Sequence, residues 1–225
     1  MTTAPSLDPI FADVARIALG VARRHGFALG GGLALVLHGV VHRPTEDIDL
    51  FSDVDAPVGA ARDEVRAALE AAGFDVRAEE PDSELGDLFH GFDHDLADLV
   101  VGREGRELRL TLGRLDRHRA PVVMDLGPVM HIDDLVAGKI AALVNRREVR
   151  DYIDAAAALQ RYDLGELLAL GHRADPALDP EDVVRVGAHL DAMDDRLFGR
   201  YGLTPPAIAE LRAKLAGWPR PADAA

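Results

Sequence analysis

Cysteine is absent from this chain of 225 residues. Without a thiol, the protein can form no disulfide bond, no zinc–thiolate site and no cysteine nucleophile. No run of apolar residues approaches the roughly 18 that a membrane-spanning helix needs. The first residues, MTTAPSLDPIFADVARI, contain no basic segment followed by an apolar core. The lack of a long apolar run and the composition of the first residues predict a soluble, cytoplasmic protein with no membrane partner, and the absence of cysteine is neutral about compartment.

Two motifs that are typical of hydrolases are also missing. The motif H-E-x-x-H, the pattern of one class of zinc hydrolases, does not occur in the sequence. No serine lies in G-x-S-x-G, the context of a nucleophile elbow. The sequence therefore gives no support to either form of hydrolysis.

Lysine is scarce, and acidic residues outnumber basic ones. Asp and Glu total 39 against 25 Lys and Arg, the formal net charge is −14, and the lysines are Lys139 and Lys214 alone. This charge argues against a general nucleic-acid binder, because cations must meet the phosphate backbone. A local basic surface is still compatible with it. The arginine-rich stretch GREGRELRLTLGRLDRHR fits either a solvated face or a contact with polyphosphate or RNA.

The stretch from residue 29 to 53, LGGGLALVLHGVVHRPTEDIDLFSD, carries the strongest functional signal. Gly30, Gly31 and Gly32 follow a short apolar run and open a predicted helix over residues 33–38. Glycine lets backbone N–H groups approach a phosphate closely, and a helix N-terminus favours negative charge. The glycines therefore predict a phosphate-binding loop.

Two acids follow the glycines in strand alternation, in the order Asp47, Ile48, Asp49, Leu50. Side chains at i and i+2 share one face of a strand, so the two acids point the same way, roughly 6 to 7 Å apart along the backbone. Paired carboxylates suit one divalent cation or two. A phosphate loop followed by metal-binding carboxylates is typical of phosphoryl or nucleotidyl transfer.

The glycines, the short helix and the D-x-D strand together resemble the nucleotidyltransferase superfamily of the polymerase β type. The fuller string GGGLALVLH…HRPTEDIDLF is similar to the nucleotidyltransferases of the AbiEii/AbiGii toxin family. The resemblance implies that Asp47 and Asp49 are catalytic and bind Mg²⁺ or Mn²⁺. It also implies a nucleotide-binding role for Gly31, Gly32, Arg43, Thr45, Lys139 and Arg146.

A second stretch, HIDDLVAGKIAALVNRREVRDYIDAAAAL, strengthens this resemblance. The same family carries a lysine, an arginine seven residues later and then R-D-x-x-D, which here are Lys139, Arg146, Arg150, Asp151 and Asp154. The resemblance implies that Lys139 neutralises nucleotide phosphate charge and that Arg146 or Arg150 braces an acid. It also implies a catalytic or metal-linked role for Asp154 and a structural role for Asp151.

The spacing of Lys139 and Asp154 predicts a break in the helix that carries them. On one straight helix they would lie about 22 Å apart along the axis, too far to serve one nucleotide. If both residues belong to one site, the helix must break near residues 145–148 and fold back.

One position departs from the superfamily pattern. The resemblance implies a third carboxylate on a later strand, where this chain has Thr111 in the predicted strand over residues 108–112. Threonine cannot supply the negative charge of a general base or a metal ligand. Either another acid substitutes, with Asp98, Asp125 and Asp154 as candidates, or transfer is slow or absent.

The hydrophobic patterning predicts an α/β (α+β) fold. We expect a mixed-sheet nucleotidyltransferase core over residues 1–130, a helical C-terminal region over 131–217 that contributes to the site, and a poorly ordered tail over 218–225 in which Trp218 packs on the last helix. Predicted strands cover residues 27–29, 47–51, 74–79, 94–101, 107–112 and 122–126. Predicted helices cover 8–21, 33–38, 57–72, 133–144, 149–161, 164–171, 180–190, 194–201 and 205–215.

The predicted reaction is metal-dependent attack by an acceptor hydroxyl on the α-phosphate of a nucleoside triphosphate, with release of pyrophosphate. The resemblance further implies a toxin of a toxin–antitoxin system, with tRNA as an acceptor and a cognate antitoxin as a partner. One alternative is a small-molecule nucleotidyltransferase of the aminoglycoside type, because an acidic chain attracts a cationic acceptor. The other is a nucleotide-binding module without transfer activity, which Thr111 favours.

Overall fold

The computed structural model describes residues 8–45, 47–54, 58–79 and 96–221. The chain divides into two compact units, a sheet unit of residues 1–37 and 45–131 and a helical unit of residues 38–44 and 132–225. The short segment 38–44 belongs to the helical unit because hydrogen bonds hold it there. Arg161 Nη2 donates to the carbonyl of His38 at 2.9 Å, and Arg43 pairs with Asp154.

The strands of the sheet unit are β1 Ala28–Leu29, β2 Asp47–Ser52, β3 Asp75–Glu79, β4 Leu96–Arg103, β5 Arg106–Arg114, β6 Val122–Met124 and β7 Gly127–Val129. Within the described residues they form one sheet in the order β3-β4-β5-β2-β1-β7-β6. The pairs β2·β5 and β1·β7 are parallel and the other pairs are antiparallel. The mixed sheet confirms the predicted fold class.

One predicted strand is wrong in detail. The chain forms a hairpin over residues 122–129, in which β6 ends at Met124, Asp125 and Leu126 form the turn, and β7 follows. Each arm has three residues, too few for alternation to show in the sequence.

The helices of the sheet unit are α1 Pro9–Ala22, α2 Gly31–Leu37 and α3 Val58–Ala71. Asp8 caps α1, with its Oδ1 accepting a hydrogen bond from the Ile10 N–H at 3.1 Å, and proline follows in the first turn. Apolar residues of α1 and α3, such as Leu19 and Leu69, are buried in the core. Ile48 and Leu50 of β2 are also fully buried. Because side chains alternate along a strand, the acids of β2 face the other side.

The helical unit consists, among its described residues, of α4 Ile132–Arg146, α5 Val149–Ala158, α6 Leu164–Ala174, α7 Pro180–Ala192, α8 Asp195–Gly199, α9 Pro205–Lys214 and a short 3₁₀ turn at Leu215–Gly217. All six predicted helices are present, with ends shifted by a few residues. The Tyr152 hydroxyl donates to the Val186 carbonyl at 2.9 Å, so the largest side chain of α5 is both buried and hydrogen-bonded. Among the described residues, no helix combines the length and apolar character needed to cross a membrane.

The predicted disorder of the tail is wrong for residues 218–221. Trp218 is buried, as expected, and its Nε1 donates to the Val183 carbonyl at 2.8 Å. Arg220 forms a two-pronged ion pair with Asp191, at 2.8 and 2.9 Å, and lowers the pKa of that carboxyl. Residues 222–225 lie outside the described residues, as do Pro57 and His94, at which a predicted helix and a predicted strand begin.

Candidate active site

The glycines at the start of α2 lie directly against β2. The Gly30 N–H donates to the Asp49 carbonyl at 2.7 Å. A Cβ on Gly31 would lie 1.7 Å from Asp49 Oδ2, and a Cβ on Gly30 would lie 2.5 Å from the Phe51 ring. Gly31 also has a φ of +60°, which side chains rarely adopt. Glycine is therefore required at both positions, and the Asp49 carboxylate lies against the first turn of α2.

The two acids of β2 share one face, as predicted. Asp47 and Asp49 are half-buried, whereas Ile48 and Leu50 between and after them have no exposed surface. The Thr45 hydroxyl donates to the Asp47 carbonyl at 3.2 Å. This hydrogen bond holds the backbone of Asp47 at the start of β2, next to the D-x-D motif.

The donor set of this motif fits a hard divalent cation. Asp47 and Asp49 offer carboxylate oxygens, the ligand type that Mg²⁺ prefers. The part of the chain that the structure describes contains no group of three or more His, Asp or Glu placed to hold a metal ion. Mg²⁺ is commonly bound through one or two carboxylates together with substrate phosphates and water. Two carboxylates therefore fit an ion that is completed by a nucleotide.

Thr111 occupies the position beside Asp49 on the neighbouring strand. Asp49 of β2 is in register with Thr111 of β5, and Thr111 is in register with Asp98 of β4. The Thr111 hydroxyl donates to Asp98 Oδ1 at 2.6 Å. Asp98, one of the three acids considered as substitutes for the third carboxylate, is therefore hydrogen-bonded to Thr111, the residue that stands in place of that carboxylate. Asp125 lies in the β6–β7 turn, and β1 and β7 separate that turn from β2.

The arginines of the stretch over residues 102–119 contact different partners. Arg109 pairs with Glu79 at 2.9 Å, and the Arg103 guanidinium lies 3.5 Å above the centre of the Phe74 ring. Arg117 pairs with Asp53 and donates to a backbone carbonyl. Arg109, 52% exposed, fits the solvated-face interpretation, whereas Arg117 is only 5% exposed and is held by its local partners.

The predicted helix break is confirmed in the helical unit. Helix α4 ends at Arg146, Arg147 takes a left-handed φ of +55°, and α5 begins at Val149. The reversal brings Lys139 Nζ to 3.0 Å from Asp154 Oδ2 and 3.5 Å from Asp151 Oδ1. The lysine and the R-D-x-x-D motif therefore form one cluster.

Each acid of this cluster also receives two hydrogen bonds from one arginine. Arg146 donates to Asp151 at 2.8 and 2.9 Å, which confirms that Arg146 braces an acid. Arg43 donates to Asp154 through Nε and Nη2, both at 2.7 Å. Arg150 instead pairs with Glu148 at 2.7 Å. The contact of Arg43 with Asp154 was not predicted, because the two are 111 residues apart and no local pattern joins them.

The two acids of this cluster are fully buried, and the exposure of its cations differs. The side chains of Asp151 and Asp154 have no exposed surface, and those of Lys139 and Arg43 are 16% and 8% exposed. Lys139, Arg43 and Arg146 bind the two acids, but the Arg146 side chain is 42% exposed and also lies 3.7 Å from Glu148, so two buried cations face two buried carboxylates. Every carboxylate oxygen accepts a charge-assisted hydrogen bond, as buried charges require.

The protonation of the two arginines follows from these contacts. Burial alone would lower the pKa of Arg43, but the hydrogen bonds and charge of Asp154 raise it above its usual range. The hydrogen bonds of Asp151 raise the pKa of Arg146. Both guanidinium groups are held charged. Each acid accepts two hydrogen bonds from one arginine and lies near Lys139, and the implied division into one catalytic and one structural acid stays a prediction.

The chain is similar to a known protein family in sequence and to solved structures in fold. A family model described as nucleotidyl transferase AbiEii toxin, type IV toxin–antitoxin system, matches residues 17–197. No curated protein has a sequence similar enough to count as a match.

Several solved structures have a similar fold. A Helicobacter pylori protein assigned as a nucleotidyltransferase has a TM-score of 0.61 at 15% identity, over 93% of this chain and 95% of that one. JHP933 from Helicobacter pylori has a TM-score of 0.58 at 15% identity, with 94% and 92% covered. MenT4, a nucleotidyltransferase toxin from Mycobacterium tuberculosis, has a TM-score of 0.56 at 17% identity, with 92% and 82% covered.

Proposed function

Because the chain belongs to the AbiEii nucleotidyltransferase toxin family, we propose that it transfers a nucleoside monophosphate from a nucleoside triphosphate to an acceptor hydroxyl. One observation carries this proposal. Asp47 and Asp49 lie on one face of β2, and Gly31 leaves the space that the Asp49 carboxylate occupies against α2. A general phosphate-binding turn would not need a glycine to make room for a carboxylate.

In the proposed reaction Asp47 and Asp49 hold Mg²⁺ or Mn²⁺. When bound, the ion would offset phosphate charge and polarise the α-phosphate toward attack. Thr45 keeps Asp47 in position through the hydrogen bond at the start of β2. Gly31 and Gly32, in the first turn of α2, present backbone N–H groups to the triphosphate, while the Cβ side of Gly31 is filled by the Asp49 carboxylate.

We propose that Lys139 binds the triphosphate and neutralises part of its negative charge. The exposure of its side chain supports this role, since Lys139 is 16% exposed whereas the two acids that it contacts have no exposed surface. Arg43 and Arg146 act on the nucleotide through Lys139, because each binds an acid that the lysine also contacts. Asp154 and Asp151 orient the ammonium group between them. A lysine has three donor hydrogens, so two acids and one phosphate oxygen match its capacity.

For the acceptor, we propose RNA, with tRNA as the class to test first, and a cognate antitoxin as the regulating partner. The family is a toxin–antitoxin family, which supports an antitoxin. A cationic small molecule of the aminoglycoside type is the second candidate, and the net charge of −14 favours it. A module that binds nucleotide without transfer is the third, and Thr111 at the third position favours that one.

One experiment separates the three functions. The purified chain is incubated with each α-labelled nucleoside triphosphate and Mg²⁺ or Mn²⁺, together with total RNA, purified tRNA or a panel of aminoglycosides. Label in tRNA supports the first function, and label in the aminoglycoside fraction supports the second. Nucleotide binding by calorimetry without label in any acceptor supports the third. The Asp49→Asn variant serves as the control for metal-dependent transfer, and equal labelling by that variant would refute the proposed site.

A further inference from the structure

A row of polar side chains crosses three adjacent strands beside the D-x-D motif. Asp49 of β2, Thr111 of β5 and Asp98 of β4 are in register, so their side chains share one face of the sheet. All three are half-buried. Neighbouring strands lie about 4.8 Å apart, which places the backbones of Asp49 and Asp98 about 10 Å apart with Thr111 between them. Thr111, not Asp98, is thus the nearer neighbour of the proposed metal-binding acid.

The hydrogen bond between Thr111 and Asp98 fixes the orientation of the threonine hydroxyl. Its length of 2.6 Å is that of a charge-assisted O–H···O⁻ bond. An ionised carboxylate can only accept, so the hydroxyl hydrogen points at Asp98 Oδ1. The lone pairs of Thr111 Oγ1 are then directed away from Asp98. A hydroxyl held in this way can accept a proton from one side while it gives its own to the other.

We propose that Thr111 and Asp98 together replace the third carboxylate, with Thr111 relaying the proton of the acceptor hydroxyl to Asp98. This inference rests on the proposed nucleotidyl transfer. The acceptor oxygen forms a bond to the α-phosphorus, and the bond from that phosphorus to the bridging oxygen breaks. Pyrophosphate leaves with the electron pair. The acceptor proton passes to Thr111 Oγ1 as the threonine proton passes to Asp98 Oδ1, and Asp98 later returns it to water.

Thr111 is the catalytic residue of this pair, because it would touch the acceptor, and Asp98 is a positioning residue that acts through it. Removal of either should lower kcat, since general base catalysis contributes about 10²- to 10⁴-fold. Neither residue needs to contact the triphosphate. The affinity for nucleotide in the presence of Mn²⁺ should therefore stay within about twofold of the parent, a difference well below 1 kcal/mol.

The test uses four single variants of the full chain. Thr111→Val keeps the shape of the side chain without the hydroxyl, and Thr111→Ser keeps the hydroxyl. Asp98→Asn keeps an acceptor for the hydrogen bond but cannot take up a proton at neutral pH. Asp75→Asn is the matched control, because this exposed acid lies on the adjacent strand β3 in register with Gly102, outside the row. We measure kcat, KM, nucleotide Kd and the unfolding midpoint for each.

The expected result is a fall in kcat of about 10²-fold or more for Thr111→Val and Asp98→Asn, with kcat restored to within about tenfold in Thr111→Ser. The control should match the parent. A second step adds Thr111→Asp to Asp98→Asn. The new carboxylate stands beside Asp49 and takes the proton directly, so the double variant should regain at least about tenfold of the lost kcat. A purely structural role of Asp98 predicts no such rescue.

The outcomes separate this inference from the proposed function. If the parent transfers nucleotide, Asp49→Asn abolishes transfer, and both Asp98→Asn and Thr111→Val keep the parental kcat, the relay is wrong while nucleotidyl transfer stands. If kcat and nucleotide affinity fall together, Asp98 acts on binding and the relay is also wrong. If the parent labels no acceptor, the proposed function fails first. In that case the nucleotide Kd is compared between Asp98→Asn and the parent by calorimetry. A difference between the two Kd values would contradict the inference without any measurement of transfer.

Discussion

The Asp49 carboxylate occupies the space in which a side chain at Gly31 would begin. A Cβ at that glycine would lie 1.7 Å from Asp49 Oδ2 and 2.6 Å from its carboxyl carbon. Real Cβ atoms do not approach other heavy atoms so closely, so one of the two groups would have to move. The glycine and the acid, 18 positions apart in the sequence (49 − 31), therefore form one structural element of the site.

The first prediction tests this relationship with Gly31→Ala. The substitution should displace the Asp49 carboxylate and raise the apparent dissociation constant for Mn²⁺–nucleotide at least about tenfold, in addition to the cost of a positive φ. Gly105→Ala is the matched control, because Gly105 has a φ of +76° but open space at its Cβ position. Calorimetric titration of both variants gives the answer. Equal loss of affinity at the two positions would mean that backbone strain alone matters.

The second prediction concerns the metal. Asp49→Asn preserves the volume of the side chain and removes one anionic oxygen, so it should abolish transfer and weaken Mn²⁺-dependent nucleotide binding. The unfolding midpoint should change little, because the site is polar and half-buried. Titration of nucleotide with and without Mn²⁺ separates the two contributions. A variant that keeps both metal dependence and turnover would show that Asp49 is not a ligand.

The sheet unit could be predicted from local patterns, because its functional side chains follow strand alternation. Asp47 and Asp49 share a face for the same reason that Ile48 and Leu50 are buried between them. The break between α4 and α5 was also predictable, since one straight helix would separate Lys139 from Asp154 by about 22 Å. The short arm β7 was not, because three residues carry no period.

The contact of Arg43 with Asp154 lay beyond any local rule. Arg43 lies in the seven-residue segment 38–44, which belongs to the helical unit although α2 before it and β2 after it belong to the sheet unit. The placement of this segment in the helical unit depends on a long-range ion pair, and the periodicity of the sequence contains no information about such pairs. The resemblance to a known family placed Arg43 among nucleotide-binding residues, but its partner came only from the structure.

The third prediction measures how much this ion pair stabilises the helical unit. The side chains of Arg43 and Asp154 are 8% and 0% exposed, so Arg43→Ala should leave a buried carboxylate short of partners and cost about 3 to 5 kcal/mol of unfolding free energy. Lys139 Nζ lies 3.0 Å from the same carboxylate and remains as a partner, so the loss of unfolding free energy should lie near the lower end of this range. Urea denaturation followed by circular dichroism measures the change.

The matched control for that prediction is Arg77→Ala. Arg77 binds Glu107 with the same two-pronged geometry, at 2.9 and 2.8 Å, but the two side chains are 65% and 52% exposed. Solvent screens such a pair, so its removal should cost at most about 1 kcal/mol. If the two arginines cost the same, the burial of the Arg43 pair has no energetic consequence and the segment 38–44 is held by other contacts.

The last prediction asks whether Lys139 serves the triphosphate. A lysine that reaches a phosphate contributes a charge-assisted interaction of roughly 1.5 to 3 kcal/mol, so Lys139→Ala should weaken triphosphate binding by about ten- to a hundredfold. The nucleoside has no phosphate for the ammonium to meet, and its affinity should change much less. The fold should tolerate the change, because Arg146 and Arg43 still hold Asp151 and Asp154. Lys139→Arg should restore binding only in part, since a planar guanidinium cannot take the place of a compact ammonium between two carboxylates.

Lys214→Ala is the matched control, because the other lysine of the chain pairs on the surface of α9 with the exposed Glu210 at 2.8 Å. Isothermal titration with triphosphate and with nucleoside decides the matter: if Lys139→Ala binds triphosphate as tightly as Lys214→Ala does, the cluster of the helical unit has a structural role and the phosphates are met elsewhere.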